Sequence, residues 1–204
     1  APMRMRGFDA DAEMLDAKRR PKLRAEDGIF HFENDAIQVA ISTTTGRLTS
    51  YRVHGRDMLA GSGAGLELVA DDEDSWATTE TAFGSVAGCF EAMPPEEAAR
   101  FAGIPGRDSL PPVRVIEEGP VRTVIEALVR CGDSAACLHY RLPRKGTRLG
   151  IELRVDWRER DRALKFAFPL AFETRYYRGQ TAYGTQELPA DGTETAFQQW
   201  CSAE

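Results

Sequence analysis

Apolar and polar residues alternate along most of the chain. Ile37, Val39 and Ile41 interleave with Gln38, Ala40 and Ser42. Successive side chains of a strand point to opposite faces, so this spacing predicts a half-buried strand. Thr45-Gly46 predicts a turn, and Leu48, Tyr51 and Val53 predict a second strand, closed by the turn His54-Gly55-Arg56-Asp57. Met58, Leu59, Leu66, Leu68 and Val69 follow, interrupted by a Gly-rich stretch over 61–65 that reads as a flexible hairpin connection. Val113 and Val115 lead through Glu118-Gly119-Pro120 into Val121, Thr123, Ile125, Ala127 and Val129. Leu138, Tyr140 and Leu142 precede the turn Pro143-Arg144-Lys145-Gly146. The most regular alternation is Leu149, Ile151, Leu153, Val155 and Trp157, set against Arg148, Gly150, Glu152, Arg154, Asp156 and Arg158. A charged turn then leads to Leu164, Phe166, Phe168 and Leu170, and the two segments read as a hairpin.

Helical signals are few. Asp9 to Arg20 holds good helix formers, lacks β-branched residues and stops at Pro21. Pro94 to Gly103 has Pro at its start, Glu96 and Glu97 in its first turn and Gly at its end. Residues 1–29 therefore read as a linker or the end of a preceding domain, and residues 30–204 as a β-sandwich domain with a weakly patterned insertion at about 84–112. Repeated short strands joined by tight turns predict an all-β antiparallel sandwich with one or two short helices. Parallel α/β folds are disfavoured because alternating helices are missing.

Composition narrows the function. The 204 residues carry 26 basic and 32 acidic side chains, a net charge of −6. That acidic balance argues against nucleic acid, whose phosphates need clustered Lys and Arg. No apolar run approaches the ~20 residues of a membrane span. The start lacks a signal-peptide pattern and a Met, so the chain reads as cut from something longer. Cys89, Cys131, Cys137 and Cys201 make no C-x-x-C pair and read as partly buried thiols of a reducing, cytoplasmic setting. Cys131 and Cys137 bracket a turn and leave a cross-strand disulfide open. With three histidines, no closed zinc site is visible.

Candidate chemistry is sparse. The G-x-S-x-G, H-E-x-x-H, G-x-G-x-x-G and P-loop motifs are absent. Asp71-Asp72-Glu73-Asp74 lacks the spacing of a calcium loop and reads as a solvated turn. Asp156 and Glu159 form a possible carboxylate pair, but Arg154, Arg158, Arg160 and Arg162 surround them. Such neighbours lower carboxylate pKa values, whereas a general acid needs its value raised. A surface charge ladder is the better account. Aromatic faces can stack on the C–H faces of sugars. Trp76, Tyr183 and Trp200 are therefore the candidate carbohydrate contacts, with core packing as the ordinary alternative.

Val113 to Leu170 resembles the β-rich C-terminal region of glycoside hydrolase family 38, the α-mannosidases. Its most specific parts are V-x-E-E-G-P-x-R at Val115 to Arg122, Y-R-L at Tyr140 to Leu142 and V-D-W-R-E-x-x-x-x-L-K-x-x-F-P at Val155 to Pro169. Phe32 to Gly61 is similar to the family's first strand, with its T-G-x-L-x-S turn and L-A-G. Asp74-Ser75-Trp76, Ala182 to Gly192 and Gln199-Trp200 match further segments in the family's order. Where many members read Tyr-Glu-Ile-Pro-Tyr-Gly, this chain has Gly179-Gln180-Thr181-Ala182-Tyr183-Gly184, so the Glu is missing.

The resemblance implies a galactose-mutarotase-like supersandwich, here incomplete, from a retaining α-mannosidase. Such enzymes carry zinc, a carboxylate nucleophile and an acid/base in an N-terminal barrel-like domain, and none of those residues maps onto this chain. The chain is thus expected to be a non-catalytic part that holds no cofactor itself. Its expected partners are its own N-terminal catalytic domain, which would hold the zinc, and mannose-containing carbohydrate. A stand-alone carbohydrate-binding module is the alternative. An aldose-epimerase-like enzyme using His31, His54 or His139 rests on fold analogy alone.

Overall fold

A computed structural model describes residues 22–71, 76 and 82–203. The helix expected over Asp9 to Arg20 and the acids Asp72 to Asp74 lie outside these residues. The first sheet is an antiparallel meander of β1 (Lys22–Glu26), β2 (Ile29–Glu33), β3 (Ile37–Ser42), β4 (Leu48–Val53) and β5 (Arg56–Asp57), paired in that order. A second sheet joins β6 (Gly65–Ala70) to β7 (Val86–Cys89) on one side and to β13 (Arg162–Ala167) on the other. The third is built on the long hairpin β10 (Arg122–Cys131) and β11 (Ser134–Pro143). β12 (Gly150–Asp156) pairs with β11, while β8 (Glu91–Ala92) and β9 (Val113–Glu118) pair with β10. A fourth, small sheet orders β15 (Gly184–Pro189), β14 (Tyr176–Thr181) and β16 (Cys201–Ala203).

The period of two decides what is buried. Phe32, Ile37, Val39, Ile41 and Leu48 from the first sheet meet Leu66 and Leu68 from the second. Val113, Ile125, Ala127, Val129, Ala136, Leu138, Tyr140 and Leu142 from the third complete one core. Burying each large side chain contributes about 1.5–3 kcal/mol, so this sandwich interface carries most of the stability. At the β3–β4 turn the buried Tyr140 hydroxyl donates across this interface to the Gly46 carbonyl at 2.6 Å. The alternation predicted these faces, and the antiparallel sandwich is the observed fold.

α1 (Pro95–Ala102) forms where the sequence predicts it. Pro95 suits a first turn whose N–H groups have no helical partner, and acids there complement the helix dipole. Gly103 ends the helix in the left-handed region at φ +63°. Ala98 and Ala99 seat α1 on Met93, Leu110 and Leu128, so the helix covers part of the third sheet's outer face. Glu97 pairs with Arg130 of β10 at 3.1 Å.

Several local expectations change. β12 and β13 are not a hairpin: β12 pairs with β11, while β13 pairs with β6 from Arg162↔Ala70 to Ala167↔Gly65. Alternation reports which face is buried, not which strand lies alongside. The chain changes sheets at Asp161, whose φ is +52° and whose carbonyl accepts from Asp71 N at 3.2 Å. The 61–65 stretch likewise crosses between sheets, held by two backbone bonds between Gly63 and Leu48 at 2.8 and 3.1 Å. Residues 22–26 already pair in the first sheet, ahead of the expected start at residue 30. The segment 84–112 carries β7, β8 and α1. All four cysteines are free; Cys89 and Cys201 are exposed rather than partly buried, and Cys131 and Cys137 stay unbridged.

The Asp156–Glu159 pair separates by role. Asp156 joins Arg158 in an exposed ion pair at 3.0 Å, as the charge ladder predicts. Glu159 instead closes the β10–β11 turn, accepting from Asp133 N at 3.0 Å and Ser134 Oγ at 3.1 Å. Ser134 Oγ also accepts from Arg158 N at 2.8 Å and is buried. Ser134→Ala is expected to lower stability by about 1 kcal/mol, because it strips partners from groups that stay in place. Urea unfolding checks this; an unchanged midpoint would overturn it.

Candidate functional site

Among the described residues, the outer face of the third sheet carries a close group of a thiol, an imidazole and a carboxylate. The hairpin register sets Glu126 directly opposite His139, and Cys137 lies two residues before His139 on the same strand face. Arg114 of β9 and Glu152 of β12 extend this row across the sheet. His139 Nε2 lies 3.1 Å from Glu126 Oε2 and 3.3 Å from Cys137 Sγ, and Sγ lies 3.7 Å from Glu126 Oε2. Arg114 forms an ion pair with the other oxygen, Glu126 Oε1, which is buried without a directed hydrogen bond. All three side chains are partly buried. Beside them a cleft of about 400 Å³ is lined by Phe101 and Ala102 of α1 and by Arg154, Val155 and Asp156. Among the described residues, this is the group of His, Cys and carboxylate atoms that converges closely enough to hold a metal, all within 4.8 Å.

Electrostatics set the resting state of the thiol. Burial, and then the Glu126 carboxylate, push Cys137 up to about 12, against the opposing pull of Arg154 and Arg114. Because only the thiolate is a good nucleophile, Cys137 is expected to react with iodoacetamide near pH 8 at least about a hundredfold more slowly than an ordinary exposed thiol. Peptide mass spectrometry compares it with the exposed Cys89 and Cys201; similar rates would contradict this account.

The three aromatic candidates lie elsewhere. Trp76 is 96% exposed, in the connection from β6 to β7. Tyr183 sits at φ +65° in the β14–β15 turn and projects fully into solvent. Trp200 is 43% exposed just before β16, and its carbonyl accepts from Gln180 N at 3.0 Å. Tyr183 and Trp200 thus border the same small sheet, whereas Trp76 lies outside the strands, between β6 and β7. Of the histidines, His31 and His139 stand on opposite outer faces of the sandwich, and His54 occupies the β4–β5 turn at φ +48°.

Local pattern alone does not join Cys137 to His139 and does not single out Glu126. A usable signal was present. Counting outward from the two-residue turn Gly132-Asp133 pairs Glu126 with His139. Strand alternation puts Cys137 on their face.

A comparison with curated proteins returns no match. A family model described as the glycosyl hydrolases family 38 C-terminal domain matches residues 32–202. That span runs from the end of β2 into β16 and takes in strands of all four sheets and α1, with β1 lying before it. With the antiparallel sandwich and the ordered motifs on its strands, the match shows that this chain belongs to the C-terminal domain family of the family 38 glycosyl hydrolases.

Proposed function

We propose that this chain is the non-catalytic β-sandwich portion of an α-mannosidase-type glycoside hydrolase. In this reading it packs on the catalytic domain and lines part of the sugar cleft. The family match over residues 32–202 carries the reading. Exposed rings in the last third of the chain support a docking role. Phe166 and Phe168 stack edge-on with centroids 4.6 Å apart, and both stay over a third exposed, as do Phe172 and Phe197. Large apolar groups left at a surface often mark an interface. Zinc and the hydrolytic carboxylates would be supplied by the catalytic domain. Transition-state stabilisation depends on those groups, so the chain alone should be inert. An aryl α-mannoside assay of the 204-residue chain with zinc should give only the buffer rate. Turnover above it would overturn the reading.

The exposure of Trp76 and Tyr183 favours a second reading, an independent carbohydrate-binding module. Calorimetry with mannose-containing oligosaccharides separates the two. Under this second reading, truncating Trp76, Tyr183 or Trp200 to Ala weakens binding by about two- to tenfold, the value of one ring contact. No heat from the intact chain removes it.

A further inference from the structure

We propose that Glu126, Cys137 and His139 form a three-ligand site for a zinc-like divalent cation on the outer face of the third sheet, separate from any metal of a catalytic domain. The inference is independent of the mannosidase reading, because it uses only side chains of this hairpin.

The donor set is the first argument. A thiolate, an imidazole and a carboxylate together suit a borderline-soft ion such as Zn²⁺, whereas Mg²⁺ and Ca²⁺ prefer all-oxygen shells. The second argument is size. Zinc bonds of roughly 2.0–2.3 Å at tetrahedral angles put neighbouring ligand atoms about 3.4–3.6 Å apart. The observed separations are 3.1, 3.3 and 3.7 Å. Small rotamer adjustments therefore let one ion replace the hydrogen bonds that now join the three atoms. The third argument is rigidity. All three residues lie on one uninterrupted antiparallel hairpin, in register from Arg122↔Pro143 to Cys131↔Ser134. Sites built on sheet backbone hold their geometry better than sites on loops.

Charge supports binding as well. Binding replaces the S–H bond by a metal–sulfur bond and releases the proton to solvent. The resulting thiolate and the Glu126 carboxylate offset the dication's two charges, and Arg114 leaves the whole group with one positive charge. Arg114 engages only Oε1, which leaves Oε2 facing His139 and Cys137. Three protein ligands leave a fourth position for water or an exogenous donor, and the cleft beside Phe101 and Arg154 gives access to it.

The test uses the full chain stripped of metal. Titration with Co²⁺ should give one equivalent of binding and a near-ultraviolet thiolate-to-cobalt charge-transfer band, which Zn²⁺ then displaces. Cys137→Ser should abolish the band. His139→Ala and Glu126→Gln should each weaken binding by more than about a hundredfold, since even outer-shell partners are worth roughly 10–100-fold. If those variants fail to fold, the wild-type chain still decides. One equivalent of Zn²⁺ should protect Cys137 from alkylation at high pH and leave the similarly half-buried Cys131 unprotected. Absence of a band, a band that survives Cys137→Ser, or unprotected Cys137 would overturn the site. A hydrogen-bonded triad without metal affinity gives none of the positive signals. Loss of this site would leave the mannosidase reading intact, and the aryl mannoside assay does not report on it.

Discussion

Gly46→Ala is expected to destabilise the domain by about 3 kcal/mol, the largest effect of any single substitution considered. Gly46 sits in the β3–β4 turn at φ +70°. An alanine there pays about 1–2 kcal/mol for a left-handed backbone. It also meets a neighbour, because a Cβ on Gly46 would fall 2.7 Å from Ala127 Cβ and 3.5 Å from Val113 Cγ2. Ala127 is fully buried in central strand β10, so neither side can yield without moving a sheet. Wedging a methyl into such packing typically costs about 1–3 kcal/mol more. Urea unfolding of Gly46→Ala, Ala127→Gly and the double variant separates the two contributions. The double variant should be more stable than the sum of the single effects predicts, because the clash is gone and the backbone cost remains. A loss below about 1 kcal/mol for Gly46→Ala, or strict additivity, would contradict this picture.

The second large effect is expected at the other side of the same contact. Tyr140 is fully buried, and its hydroxyl is the donor that reaches the Gly46 carbonyl across the sandwich. Tyr140→Phe keeps the ring and deletes the donor, leaving a buried carbonyl unpaired at a cost of about 2 kcal/mol. The variant should also change the alkaline limb of the stability profile. Burial raises the folded-state pKa of Tyr140, against a weaker opposing effect of Arg47. A phenol raised above its unfolded value, about 10, stays neutral in the fold after the unfolded chain has ionised. Its contribution is therefore complete below that pH and is lost as pH climbs beyond it. Tyr140→Phe should show a lower plateau at neutral pH and a shallower decline above about pH 10. Parallel alkaline limbs in both proteins would sink this explanation. The Gly46 and Tyr140 effects share one contact, so they should not add.

These contacts bear on function because the sandwich interface holds the third sheet in place. β10 presents Ile125, Ala127 and Val129 to the core and Glu126 and Leu128 to the opposite face. Core packing on one side therefore positions the Glu126–Cys137–His139 group on the other. The family 38 C-terminal fold thus provides a frame, and this chain's own reactive cluster sits on that frame.

Much of the fold was legible in the chain itself. Residues such as Ile37, Val39 and Ile41 mark a strand face through spacing alone, since side-chain direction in a strand depends only on position parity. Thr45-Gly46 and Pro94 to Gly103 mark a turn and a helix because φ preference and capping are local properties. The family motifs are likewise short runs that can be read in order. Partner choice was not legible. Regular alternation at Leu149 to Trp157 and again at Leu164 to Phe168 suits any neighbouring strand, and only packing sent β12 to β11 and β13 to β6. Glu159 read as one charge among many until the β10–β11 turn brought two donors to it. Trp76, Tyr183 and Trp200 were identifiable as aromatic rings, but their exposure depends on what covers them. The faces of the regularly alternating strands, the β3–β4 turn, the helix and the family were thus determined by the sequence, because they follow from local stereochemistry and residue order, whereas β1, β7, β8 and the β14–β16 sheet carry no such regular pattern. Strand partners, and the meeting of Glu126 with Cys137 and His139, were decided by the tertiary structure, because distant residues come together only when the chain closes its loops and buries its core.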